Sequence, residues 1–251
     1  MNKWQMYDEL IELVPSNLTV EQAFVSPHWI GVKSEVGLGL AMRFQDVPTT
    51  TPLTGHMKGM KLKDLAAYSK SWDFHEAALG IAAINSFINS FENQKEYVEK
   101  TPKEIVNVSI FDLIEEKVKG KKVTVVGHFP KMDVLSKICD LTILERKPGF
   151  MDTPDTACEF IIPESDFLFV TAVTLINKTY GRLSELASNG QVYLVGPSTP
   201  LTDIMFNYNA DILAGSVVQN IEKATSLFLE GAELKQANKG NIAFITKMKN
   251  S

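Results

Sequence analysis

The sequence predicts an α/β protein in two parts, an N-terminal α+β region followed by a Rossmann-like, mostly parallel sheet. Three observations carry this. Between residues 122 and 215, five short β-branched runs recur with helical stretches between most of them. Such runs lack polar alternation, as strands covered on both faces do. Residues 73–91 form one long helical stretch that is apolar on nearly every face, the mark of a helix enclosed on all sides. Residues 19–43 interleave apolar residues with Gly31, Gly37 and Gly39, which suits two or three short antiparallel strands.

Taken in order, Asn2 to Val14 reads as an amphipathic helix ended by Pro15. The strands of 19–43 follow, then a Thr-, Pro- and Gly-rich loop from Asp46 to Lys61 and a short helix from Leu62 to Tyr68. After the enclosed helix, Glu92 to Lys103 is polar and carries Pro102, which places a boundary there and divides the chain into domains of residues 1–100 and 101–251. Ser109 is a suitable N-cap for a short helix closed by Gly120. The five strands are then expected at 122–127, 141–145, 167–171, 192–196 and 211–215, with an edge strand at 242–246. Helices are expected at 132–138, 156–162, 180–187 and 217–234, which makes the unit a series of right-handed β-α crossovers.

Composition excludes several classes of function. With 45% apolar and 22% charged residues the chain is ordinary globular material, and a net charge of −5 leaves no global basic footprint for nucleic acid. No apolar run approaches the ~20 residues that span a bilayer, so no membrane partner is expected. Cys139 and Cys158 fit reduced thiols in a cytoplasmic protein. His28, His56, His75 and His128 show no ligand spacing, and no protein-built metal site is expected. Neither a nucleophile elbow nor a P-loop occurs.

Ligands of open parallel sheets bind beyond the carboxyl ends of the strands. That rule selects five loops: Gly127-His-Phe-Pro130, Glu145-Arg146, Thr171 to Asn177 including Thr174, Gly196-Pro197-Ser198-Thr199, and Gly215-Ser216. The first is not a dinucleotide fingerprint, and bulky Phe129 would obstruct a pyrophosphate. It is either a plain helix start with Pro130 in the first turn or a seat for a flat organic ligand against Phe129. Glu145, eighteen residues after Gly127, could bind ribose hydroxyls or simply be a solvated carboxylate beside Arg146. Thr199 and Pro200 suit the N-cap and first position of a helix, whose free N–H groups could cap the chain or hold an anion. Asn177 and Thr179 pose the same alternatives. Asn85 stands in the middle of the enclosed helix and must find partners, in a nearby loop, in a ligand or in the second domain. Glu76 lies half a turn around that helix from Asn85; with Glu35 it is a candidate catalytic acid.

Six segments together resemble the putative heavy-metal-chelation family: Pro27-His-Trp-Ile-Gly31, Val36-Gly-Leu-Gly39, Glu76 to Asn85, Val126 to Pro130, Thr171 to Asn177, and Val195 to Leu201. The resemblance implies an enolase N-terminal-like domain joined to a Rossmann-like domain, with the active site in the cleft between them. Ala172 stands where the family's T-G-x-T-like loop carries glycine. The function implied is that of a small-molecule enzyme condensing or hydrolysing a pterin-, flavin- or siderophore-like compound, so that chelation belongs to the product rather than the protein. Two alternatives remain: a non-catalytic binder of a metal or metal–chelator complex, and a methyltransferase-like protein using S-adenosylmethionine. The expected partner is a small molecule in the cleft, a homodimer is left open, and the sequence names no cofactor.

Overall fold

The computed structural model describes residues 2–249 except 46, 49 and 104. Asp46, where the long loop is expected to begin, is therefore outside the described residues. The N-terminal half opens with α1 (Gln5–Glu12) and continues into β1 (Val20–Val25), β2 (Trp29–Ser34) and β3 (Leu38–Met42), an antiparallel sheet in that order. After α2 (Leu62–Ala67) comes α3 (Phe74–Ile88), capped by the Asp73 carboxylate, which accepts from the amides of His75 and Glu76.

Twelve of the fifteen residues of α3 are buried, because the helix packs on β2, β3 and α2. On its remaining side it meets a short helix of the C-terminal half, Val173–Ile176. Its small residues let these neighbours come close. A Cβ on Gly39 of β3 would lie 2.0 Å from the Ala82 carbonyl oxygen, so glycine is required where strand and helix touch.

The polar stretch at the expected boundary forms α4 (Phe91–Lys100), started by Ser90, whose hydroxyl accepts from the Asn93 amide. Its polar residues form the solvated face of an amphipathic helix, while Gln94 is buried and Tyr97 packs inward. Pro102 follows its end rather than breaking a coil. Tyr97 Oη donates to the Thr246 carbonyl at 2.8 Å, so α4 ties the halves together.

Ser109 does cap a helix, α5 (Ile110–Leu113), followed by α6 (Glu115–Val118). The second sheet contains β4 (Lys122–Val126), β5 (Asp140–Glu145), β6 (Thr153–Pro154), β7 (Phe167–Thr171), β8 (Gln191–Val195), β9 (Ile212–Val218) and β10 (Ile242–Met248). Their spatial order is β10-β9-β8-β7-β4-β5-β6, parallel throughout except for β10, which runs antiparallel along the edge. The chain therefore winds outward in one direction from β4 and in the other from β7, with the switch point between those two strands.

Several expected helices are shorter. These are α7 (Met132–Leu135), α8 (Cys158–Ile161, flanked by 3₁₀ turns and followed by Pro163) and α10 (Tyr180–Leu186), while the loop expected from Thr171 to Asn177 contains an additional short helix, α9 (Val173–Ile176). The stretch 217–234 begins as strand, because Ile242 and Ala243 pair with Val218 and Val217. The helix α11 (Ile221–Leu229) starts only after its Asn220 cap, and α12 (Leu234–Asn238) is separate. No helix follows Thr199-Pro200; a 3₁₀ segment at Asp203–Tyr208 is capped by Thr202 instead. Pro130 likewise precedes its helix, since Lys131 takes the cap position with φ 71°.

One hydrophobic cluster crosses both halves, joining Leu10, Ile30 and Ile81 to Leu168, Leu175 and Leu213. Among the described residues no helix is long and apolar enough to cross a membrane.

Candidate functional site

The carboxyl ends of the parallel strands do converge. Gly127 after β4, Glu145 ending β5, Thr171 ending β7 and Gly196 after β8 line one cleft of about 960 Å³. Gly215 also lines it, although from within β9. The opposite wall comes from the N-terminal half through Trp29, Met42 and Phe44. These three lie at the free end of the antiparallel sheet; Trp29 belongs to a segment that carries the family resemblance, and nothing in the local sequence marks Met42 or Phe44. An aromatic side is built by Phe111 of α5 against Phe129, with ring centroids 5.3 Å apart. Phe111 also meets Phe169 of β7 at 5.2 Å, which anchors this edge in the core.

The loop 196–201 is shaped from outside. Gly196 has φ 121°, a backbone region closed to most side chains, and a Cβ there would meet nothing within 4 Å. The amides of α3 and α4 hold the rest. Asn85 Nδ2 donates to the carbonyls of Leu40 (3.1 Å) and Ser198 (3.0 Å). Asn89 donates to the Thr199 carbonyl (2.8 Å) and accepts from the Leu201 amide (2.9 Å), and Gln94 donates to the Leu201 carbonyl (3.0 Å). Met42 N donates to Ser198 Oγ at 2.9 Å. Residues 85 and 89 are one helical turn apart, so their amides meet successive loop residues on one face.

Asn85 thus links the halves, but it is fully buried and stands behind the cleft wall rather than in it. Its partners are neither Val36–Gly39 nor Thr171–Asn177. Glu35 is also outside: it sits exposed at the β2–β3 turn, where its carboxylate accepts from the Thr19 amide and hydroxyl. Desolvation pushes its carboxyl up, but the Thr19 hydrogen bonds win and hold it below the usual range. Glu76 accepts from Ser71 Oγ at 2.7 Å and does not line the cleft either. The two acids singled out for catalysis therefore serve local structure.

Within the cleft, Phe129, Pro130, Pro197 and Ser198 are on the wall with Thr174 and Asn177. Thr174 Oγ1 donates to the Thr171 carbonyl (2.6 Å), and Asn177 Oδ1 accepts from both Thr179 N and Oγ1, so these groups shape the loop. Glu145 accepts from the Arg146 amide at 3.0 Å, and Arg146 pairs with Asp155 at 3.3 Å. Lys131 pairs with Asp112, Arg182 with Glu159, and His128 lies 3.5 Å from Asp152. Lys178 is different. It lines the cleft half-buried, its Nζ donates to the Ile176 carbonyl at 2.6 Å, and it lies 5.8 Å from the Tyr7 ring. Burial pushes its amine down to about 8. The strand-end rule stopped one residue short of it.

Among the described residues, no group of three or more His, Cys, Asp or Glu is placed to hold a metal ion. Cys158 lines the cleft as a free thiol.

Comparison with known proteins places this geometry. Residues 109–245 match a family model described as putative heavy-metal chelation, and residues 7–88 match a second model with the same description. A crystal structure of a protein of unknown function from Desulfitobacterium hafniense, of the same family as the first model, superposes with TM-score 0.88. It is 33% identical, over 98% of this chain and 99% of that one. A second family structure, from Pyrococcus horikoshii, shares the fold with TM-score 0.76 at 21% identity, over 98% of this chain and 100% of its own. An uncharacterised protein of Methanocaldococcus jannaschii is 27% identical over 191 residues, 71% of this chain and 68% of its own.

Proposed function

The chain belongs to the putative heavy-metal chelation family, and from that premise we propose that its cleft takes up a small organic ligand of pterin, flavin or siderophore type and acts on it there. In this reading the chelating groups belong to the ligand. The observation that carries it is the cleft itself: four strand ends and Gly215 from one half and Trp29, Met42 and Phe44 from the other enclose about 960 Å³. That volume is near the top of the range for small-molecule sites, and its wall mixes aromatic rings with a few polar groups, as such sites do. Phe111 and Phe129 offer faces for a flat ring system, and Arg146 and Lys235 offer positive charge for an acidic one.

The test is a thermal-shift and fluorescence titration of the full chain with a pterin, a flavin, a catecholate chelator and S-adenosylmethionine, each with and without metal. Trp29 is on the wall, whereas Trp4 and Trp72 meet edge to face away from it. Binding is expected to change tryptophan emission in the wild type and not in Trp29→Phe. A shift with the organic compounds alone supports the proposal. A shift requiring preformed metal complex, with no turnover, makes the protein a carrier. A response to S-adenosylmethionine alone replaces the proposal with the methyltransferase-like reading, and a response to metal alone overturns it.

A further inference from the structure

Lys178 is half-buried on the cleft wall, where Lys131 and Lys235 are exposed. Lys131, Arg146 and Arg182 each pair with a carboxylate. Among the described residues no carboxylate lies within ion-pair distance of Lys178 Nζ, whose partners are the Ile176 carbonyl and the face of the Tyr7 ring. Its backbone is left-handed, with φ 67°, a conformation that costs a non-glycine residue about 1 kcal/mol. The Asn177 side chain fixes that turn by accepting from Thr179 N and Oγ1. Tyr7 is in turn held by its own hydrogen bond to the Leu175 carbonyl, 2.7 Å long. The chain thus places a lysine, in a strained conformation and without a counter-charge, on the wall of its main cleft.

We propose that Lys178 is a nucleophilic amine and that the cleft's substrate carries an aldehyde or ketone, which Lys178 captures as an imine. The inference rests on reading the cleft as a ligand site. Nζ in its neutral form attacks the carbonyl carbon and forms the C–N bond as the C=O π bond breaks, and one of its two hydrogens passes as a proton to the carbonyl oxygen to give a carbinolamine. That hydroxyl leaves with a proton as water, and the nitrogen gives up its remaining hydrogen to solvent as the C=N bond forms. One amine and one carbonyl yield one imine and one water, with no oxidant or reductant. An imine draws electrons from the adjacent carbon, which is the activation that a condensation needs. Burial supports the assignment: with its amine near 8, Lys178 is neutral at physiological pH far more often than an exposed lysine.

The experiment is reductive trapping. The full chain is incubated with salicylaldehyde, a flat aromatic aldehyde, and reduced with borohydride, and the adduct is located by peptide mass mapping. Lys178 is expected to carry roughly ten times more label than any other lysine, in keeping with its lowered pKa. Lys178→Met and Lys178→Arg, checked for folding by their melting curves, are expected to lose that adduct. Label spread over exposed lysines, and equal labelling of Lys178→Met, overturns the proposal. The two readings fail separately. A protein that binds a pterin or catecholate yet leaves Lys178 unlabelled keeps the cleft and loses the imine. One labelled selectively at Lys178 that responds to none of those ligands keeps the imine and loses the proposed ligand type.

Discussion

Asn85 Nδ2 reaches the Ser198 carbonyl at 3.0 Å, so a helix enclosed in the N-terminal half supplies a hydrogen bond that shapes the cleft loop of the other half. The same nitrogen also serves Leu40, which ties strand, helix and loop at one atom. Asn85→Ala leaves two buried carbonyls without this donor, and a loss of about 1–3 kcal/mol is expected. Asn85→Asp is expected to be worse, because it turns a carboxylate toward two carbonyl oxygens. Chemical denaturation of both variants checks this. Since Asn85 is behind the wall, ligand affinity measured well below the melting temperature should fall less than with a wall substitution such as Phe129→Ala.

Gly39 and Gly196 are needed for different reasons, and their alanine variants should differ. Gly39→Ala drives a methyl group into the α3 backbone, 2.0 Å from the Ala82 oxygen, and must push strand from helix. Gly196→Ala meets open space and pays only for φ 121°, about 1–3 kcal/mol. Gly39→Ala should therefore show the greater loss in denaturation, whereas Gly196→Ala should also weaken ligand binding through the methyl it adds to the wall.

The Lys178 amine sits near 8 when folded, below its ordinary 10.5, because burial disfavours the charged form. The folded protein thus binds fewer protons than the unfolded chain between those values, and stability should rise with pH across that window. Tyr7 is the titratable group facing Lys178, and burial pushes its hydroxyl up, so it stays neutral there. The melting temperature of wild type relative to Lys178→Met should increase from pH 7.5 to 10.5. A difference independent of pH would show that Lys178 keeps an ordinary pKa.

The hydrophobic cluster that joins Ile81 to Leu168 and Leu213 has a thermodynamic consequence. The halves, divided in sequence near residue 100, should unfold together. Calorimetry is expected to give one cooperative transition whose van't Hoff and calorimetric enthalpies agree. A fragment of residues 101–251 would expose the surface that α3 and α4 cover and should not give a sharp transition. Two separate transitions in the whole chain would count against this shared core.

What the sequence determined by itself is the parallel sheet, the antiparallel strands and the loops at the strand ends. Those follow from local rules: β-branched runs, alternating helices, and the tendency of ligands to bind where parallel strands end. Thus Gly127, Glu145, Thr171 and Gly196 were legible as neighbours before any coordinates. So was the need of Asn85 for a partner, since a buried amide must find one. Which partner it found was decided by tertiary structure alone, because Leu40 and Ser198 are 45 and 113 residues away in the chain. The same holds for the acids. Glu35 and Glu76 are reasonable catalytic groups by type, but Thr19 and Ser71 hold them outside the cleft. Residues 92–103 read as a boundary because they are polar and carry Pro102, and only packing against the second half shows the buried side of α4 within them. Trp29, Met42 and Phe44 joined the site for a reason no local pattern encodes: two halves with a common core bring one sheet's free end over the other's strand ends.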